Sequence, residues 1–403
     1  MLDRGLLYLL CLFAFSSFIS LAVGSVTLGL AILLFFIYAY KNKLTLPVFG
    51  KGYLCALGLM AGALLLSALG SGDIMRGLRF WGSICLWRVM PFVIVLLFVD
   101  TKYKSKLLFK AMVLGFAVAL AYLLYQGVNG NLRAPGFFGH PMTFGGWLCI
   151  FVPALFVLFY ESVVKRQYVL LAGILFAASL IGLYVNGTRG AWVALPPVAL
   201  FIIYAYRNKY QYTKWVALAL MLAVTGLAVG SSHFQQRALS IANLKTDKSN
   251  TERVLIWRSA CNMFKDHPVL GVGLGQYKDN YQKKYILPQA IDPKLEHAHN
   301  NIMQMLAENG IVGCAAYVGL FAYILGRNII IWRKSGNPYA LVIVCSTLAL
   351  CLQGLTEYNF GNTAVMRVYW LHLGCMVTAL EISKTPCTIR QSGADRCAAV
   401  CRV

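Results

Sequence analysis

Three residues from separate parts of this chain are of the types that phosphate and hydroxyl chemistry need. Arg189 stands in Asn186-Gly187-Thr188-Arg189-Gly190, Arg253 follows Ser249-Asn250-Thr251-Glu252, and His299 stands in Glu296-His297-Ala298-His299-Asn300-Asn301. A guanidinium is permanently charged and grips phosphate oxygens in a planar fork, so two of them can stabilise a departing diphosphate without a metal. A histidine titrates near neutral pH, which suits a base that takes a proton from a hydroxyl. Each residue also has a plainer reading. An arginine at a membrane edge can snorkel to headgroups, and a histidine beside an asparagine at a helix start can be a cap. Glycines flank Arg189 and permit close approach of a ligand or a second backbone.

Arg253 and His299 lie in the one long polar stretch of the sequence, about Ser231 to Gly310, which holds ten Lys/Arg and half of the fourteen acidic residues. Ser249-Asn250-Thr251-Glu252 before an apolar-periodic run reads as a capping box opening a helix to about Lys265, with Arg253 and Trp257 as i,i+4 neighbours on one face. Pro268-Val269-Leu270-Gly271-Val272-Gly273-Leu274-Gly275 lacks the Lys-Ser/Thr of a phosphate-binding loop and reads as a glycine-rich turn. Beyond it, His299 leads into a second helix, with Met303, Leu306 and Gly310 along one face. His297 and His299 at i,i+2 on a helix would diverge by roughly 200°, so no metal set is expected from them.

Everything else is apolar. Of the 403 residues, 59% are hydrophobic and only 12% charged, and the mean hydropathy is +0.67. Too little polar surface remains to cover a water-facing globule. Continuous runs of about 20 apolar residues read as membrane-crossing helices, and their lack of alternation excludes a β-barrel. Twelve spans are expected, at about 6–23, 25–40, 53–70, 83–99, 107–127, 142–160, 168–185, 191–206, 215–231, 311–331, 339–356 and 363–381. The first is expected to be a retained span rather than a signal peptide. The organisation expected is nine spans over 1–231, a polar loop over 232–310, three spans over 311–382 and a tail over 383–403.

The net charge of +22 invites a nucleic-acid reading, but its distribution argues otherwise. Twenty Lys/Arg fall on one set of short loops and the tail, and six on the other set. By the positive-inside rule both termini are expected in the cytoplasm and the polar loop outside. Most of the twelve cysteines fall within apolar runs, so no disulfide framework is expected.

The order of the polar motifs resembles the O-antigen ligase family of membrane glycosyltransferases. The resemblance lies in Thr188-Arg189-Gly190, in Arg253-x-x-x-Trp257 followed by Pro268-x-x-Gly271-x-Gly273, and in His299-Asn300 followed by Glu308-Asn309-Gly310 and Gly313. It implies an all-α polytopic membrane protein of GT-C-like type with about twelve transmembrane helices and one large periplasmic helical loop. It also implies transfer of O-antigen from undecaprenyl diphosphate to lipid A–core at the periplasmic face of the inner membrane. Arg189 and Arg253 would hold the diphosphate and His299 would serve the acceptor hydroxyl, with inversion and with no metal, cofactor or nucleic acid. His297, Asn300, Arg258, Arg133, His140 and Arg88 are further candidates for substrate binding, Arg88 being placed near the outer end of the fourth span. An O-antigen polymerase using the same donor is the nearest alternative, and a lipid-linked glycan flippase the alternative of another class.

Overall fold

The structure, a computed structural model, describes residues 2–210, 212–243, 247–290 and 292–384; Lys245 and the tail with Cys387, Cys397 and Cys401 lie outside the described residues. Among these residues there are helices and connections and no strand. The chain begins with α1 (Leu2–Ser16), α2 (Leu21–Asn42) and α3 (Val48–Leu69). A composite helix follows, made of α4 (Ile74–Gly82), a π-helical turn Ser83–Arg88 and α5 (Met90–Phe98). Then come α6 (Lys102–Val128), α7 (Pro141–Lys165), α8 (Val169–Asn186), α9 (Arg189–Tyr206) and α10 (Thr213–Gly230). The polar stretch holds α11 (Ser232–Ala242), α12 (Lys248–Asp266) and the short α13 (Tyr277–Asn280), and the chain returns through α14 (Asn301–Ser335), α15 (Pro338–Gln353) and α16 (Thr363–Lys384).

The twelve expected runs fall on helices, but nine helices among the described residues, fewer than the twelve spans expected, are long and apolar enough to cross a membrane. The protein is an all-α polytopic membrane protein. Three boundaries stand out against the expectation. The first run is cut short, since α1 ends at Ser16 rather than 23 and a turn over 17–20 separates it from α2. The fourth span starts at Ile74 rather than 83, because Asp73 caps the amphipathic α4 and the π-turn splices it onto α5. The eleventh ends at Gln353, with Gly354 as its cap, which frees residues 354–362 to form a loop.

α7 and α16 are the most enclosed helices, with 83% and 89% of their apolar windows buried. Trp147 of α7 packs edge-on against Phe18, Phe138 and Phe144 and donates its indole N–H to the Ala364 carbonyl at 3.3 Å. Aromatic rings fill much space for few rotatable bonds, which suits this central position.

The polar stretch packs against the bundle around a break in α14. Gly310 has φ +59°, outside the helix region, and separates a short segment 301–309 from the membrane helix 311–335. The glycine-rich turn seals the break: Val272 and Gly273 donate to the carbonyls of Ala307 and Glu308, while Pro268 and Val269 accept from Ile311 and Val312. A β-carbon on Gly271, itself at φ +70°, would lie 2.3 Å from the Glu308 carbonyl carbon, so the turn can seat only with glycine there. Ser67 of α3 ties both strips of backbone, donating to Leu270 and Glu308. Ile256, Ala260, Met263, Tyr277, Tyr281, Tyr285 and Ala298 form a small core beneath α12. Met303 packs on that core, whereas Leu306 packs on the main one, so these two do not serve one common surface.

Candidate functional site

Arg189, Arg253 and His299 meet at one end of the bundle. Arg189 is the first residue of α9, with Thr188 at the N-cap position, so it stands at the positive end of the helix. Gly190 allows α9 to lie against residues 353–356, since a β-carbon there would fall 2.5 Å from Thr356 Oγ1. Arg237 of α11 donates to the Gly187 carbonyl, and Asn186 donates to the carbonyls of Ala134 and Pro141. These bonds hold the segment between α6 and α7, which carries Arg133 and His140, beside Arg189.

Arg189 is occupied. Its guanidinium donates to both carboxylate oxygens of Asp247, at 3.0 and 3.4 Å, and to the hydroxyl and carbonyl of Ser240. Asp247 is also the N-cap of α12, accepting from the Asn250 amide at 2.9 Å. The helix therefore starts at Lys248, capped by Asp247 and not by the expected Ser249–Glu252 box, because the Asp247 carboxylate reaches the free amide first. Glu252 turns instead to the Asp292 amide. Partial burial raises Asp247's pKa, but the Arg189 and backbone hydrogen bonds outweigh it and hold the carboxyl below its usual range.

Arg253 and Trp257 project from α12 on the expected common face, and together with Arg189, Val193, Ile241 and Thr356 they line a cavity of about 150 Å³. Trp257 donates its indole N–H to the Ala298 carbonyl at 2.9 Å, tying α12 to the histidine segment. Burial is the main influence on Arg253 and lowers its pKa; Glu357 opposes that. The guanidinium stays charged in any case.

The histidine segment is not helical. His299 has φ +48°, and the N-cap of α14 is Asn300, whose side-chain oxygen accepts from the Ile302 and Met303 amides while its amide group donates to the Leu355 carbonyl. Thus His299 is free of capping, and Asn300, expected to bind substrate, has both ends of its side chain engaged by backbone. Next to it Asn301, 2% exposed, donates to Asn359 and Tyr317 and accepts from the Phe360 amide. Asn300 and Asn301 clamp the α15–α16 loop onto the start of α14.

That loop supplies a residue the sequence reading missed. Glu357 lies with Oε1 3.3 Å from His299 Nδ1 and Oε2 3.9 Å from Arg253. Burial pushes its pKa up, but the His299 hydrogen bond and the nearby positive groups prevail, so the carboxyl sits below the usual range. His297 packs edge-on against His299, ring centres 4.2 Å apart, and contacts Tyr358. Burial, then the neighbouring His299, lowers its pKa to about 4, which leaves His297 neutral at physiological pH. The sequence signal for Glu357 was its rarity: one of fourteen acids, placed at the outer end of an apolar run.

Ligand atoms of His297, His299 and Glu357 lie within 4.8 Å of one another, a group that can hold a metal ion and that the i,i+2 argument did not foresee, because the segment is not a helix. Arg253 beside Glu357 sets a permanent positive charge against that use.

The remaining candidates are placed differently. Arg133 is exposed but acts electrostatically on Arg253 and Arg237, and His140 on His297. Arg258 is exposed, five residues along α12 from Arg253 and so on another face. Arg88 is 5% exposed and lies within the composite helix rather than near its end, donating to the Phe360 carbonyl at 2.8 Å beneath the α15–α16 loop. Arg237 and Asp247, neither foreseen as part of the site, complete a group of guanidiniums faced by two carboxylates.

Residues 174–318, which include Arg189, Arg253, His299 and the glycine-rich turn, match the family model described as O-antigen ligase. Over those residues the chain is similar to the O-antigen ligase family. A Rickettsia felis protein named "Putative polysaccharide ligase" is 25% identical over 221 residues, 54% of this chain and 51% of that protein. A Rickettsia typhi protein of the same descriptive name is 27% identical over 216 residues, covering 52% and 51%. The chain spans about half the length of these curated relatives. Glu357 and its loop lie beyond the matched O-antigen ligase segment, yet they complete its histidine site.

Proposed function

We propose that the protein transfers an O-antigen glycan from undecaprenyl diphosphate to a sugar hydroxyl of lipid A–core at the periplasmic face of the inner membrane, by inverting glycosyl transfer. The observation that carries this is the convergence of Arg189 and Arg253 on one cavity, with the His299–Glu357 pair directly beside Arg253. The similarity to the O-antigen ligase family and the relatives' names support the same class of reaction.

In this reading the donor diphosphate lies between Arg189 and Arg253, displacing the Asp247 carboxylate from Arg189. The bond from the anomeric carbon to the diphosphate oxygen breaks, and its electron pair leaves on the diphosphate, where the two guanidiniums neutralise the growing charge. The acceptor hydroxyl attacks from the opposite face and forms the new glycosidic bond. With Nδ1 donating to the ionised Glu357, neutral His299 presents Nε2 as the acceptor of the hydroxyl proton. No step requires a metal.

The test is transfer by the purified full chain between lipid-linked O-antigen and core lipid, with and without excess chelator. Transfer to core lipid that persists in chelator is expected. Joining of donor glycans to one another would reassign the protein to polymerisation, and loss of activity restored by one divalent ion would make His297, His299 and Glu357 a metal site.

A further inference from the structure

α9 runs for 18 residues from Arg189 at the candidate site to Tyr206, so its other end is about 26 Å away. There the chain turns into α10, and a cavity of about 820 Å³ opens at the junction. Tyr210 and Tyr212 line it and end a stack of tyrosines that continues into the bundle. Tyr160 of α7 lies 4.6 Å from Tyr206, Tyr206 lies 5.4 Å from Tyr210, and Tyr210 lies 5.5 Å from Tyr212, with interplanar angles of 6–23°. Hydrogen bonds from Tyr212 to the Tyr160 carbonyl and from Thr213 to the Tyr206 carbonyl lock the stack to the helix ends.

Three cations gather here, and they are not equivalent. Lys209 is spent on Glu161, which lies 3.5 Å away and also accepts from the Tyr206 hydroxyl. Arg207 lies over the Tyr204 ring at 3.6 Å and Lys214 is 5.6 Å from the Trp215 ring. Among the described residues neither Arg207 nor Lys214 has a carboxylate within 4.0 Å. Both line the cavity, as do Ile203 and Trp215, and Trp215 is 63% exposed. Two unneutralised cations over aromatic rings, with an apolar lip at the end of a membrane helix, match one chemistry: a phosphate diester whose other end is hydrocarbon.

We propose that this cavity is a binding site for the headgroup of an anionic phospholipid, with Arg207 and Lys214 on the phosphate and Ile203 and Trp215 against the glycerol and the first acyl carbons. The site is independent of the transfer reaction at the other end of α9.

Native mass spectrometry of the full chain in mild detergent, with added phosphatidylglycerol or phosphatidylcholine, tests it. Phosphatidylglycerol is expected to remain bound at several-fold higher occupancy. The double variant Arg207→Ala/Lys214→Ala is expected to lower that occupancy about thirtyfold, in line with roughly 1 kcal/mol per basic residue near anionic lipid, while Arg207→Lys/Lys214→Arg retains it. Lys41→Ala/Lys51→Ala, at another basic turn, is expected to leave it unchanged. Equal retention of the two lipids, or an equal loss in the Lys41/Lys51 variant, overturns the proposal. Displacement of the lipid by equimolar inorganic phosphate assigns the cavity to free phosphate and overturns it as well.

Discussion

His299 Nδ1 and Glu357 Oε1 are 3.3 Å apart although 58 positions separate them in the chain. The pairing orients the imidazole and directs its other nitrogen away from the carboxylate. Glu357→Gln keeps the size and a hydrogen-bonding group but removes the charge. Turnover is expected to fall by at least tenfold, part of the about 10²–10⁴ that a general base supplies. Donor binding is expected to stay near wild type. Unchanged turnover would remove Glu357 from the mechanism.

Arg189 and Arg253 are expected to separate charge from geometry. The alanine variants are expected to lose on the order of 10²–10³ in turnover, as when a donor to a developing anion is removed. Lysine variants keep the charge without the fork and are expected to fall between alanine and wild type. Transfer kinetics on protein checked by thermal melting in detergent decides this; lysine variants no better than alanine would point to the fork alone.

Asp247 competes with the proposed ligand for Arg189. Asp247→Asn preserves a good N-cap for α12 while removing the competing charge. Binding of the lipid diphosphate is expected to tighten about fivefold, roughly the 1 kcal/mol of a partly exposed ion pair. Weaker binding would mean that Asp247 holds Arg189 in its working position.

His297 links pH to stability. Its folded pKa of about 4 is below the unfolded value of 6.5, so between these values the unfolded chain binds a proton that the folded chain does not. Stability contributed by neutral His297 is therefore complete above pH 6.5 and is lost as pH falls toward 4, by at most about 3 kcal/mol. The melting temperature of His297→Gln is expected to drop less than that of wild type between pH 7 and pH 5. An equal drop would show that His297 is solvated.

Much of the fold follows from composition and periodicity, because a chain that must satisfy its backbone inside hydrocarbon has few options besides helices. The long apolar runs fell on helices, and the Arg253–Trp257 face survived because i,i+4 geometry is local. The glycine-rich turn was legible for the same reason, as three of its glycines adopt positive φ. What local spacing does not encode is which segments meet. Helical spacing separated His297 from His299; the left-handed backbone at His299 and the Asn300 cap put the two rings in contact. Glu357 appeared as the fringe of an apolar run, yet the Gly354 cap and the Asn301–Asn359 clamp turned it toward His299. Asp247 is one surface acid in the sequence, and only the tertiary placement of the α12 N-cap beside the start of α9 made it the partner of Arg189. Sequence by itself determined the helices and the residue types at the site; tertiary structure decided the carboxylates, because ion pairs between distant segments depend on helix packing and not on any spacing along the chain.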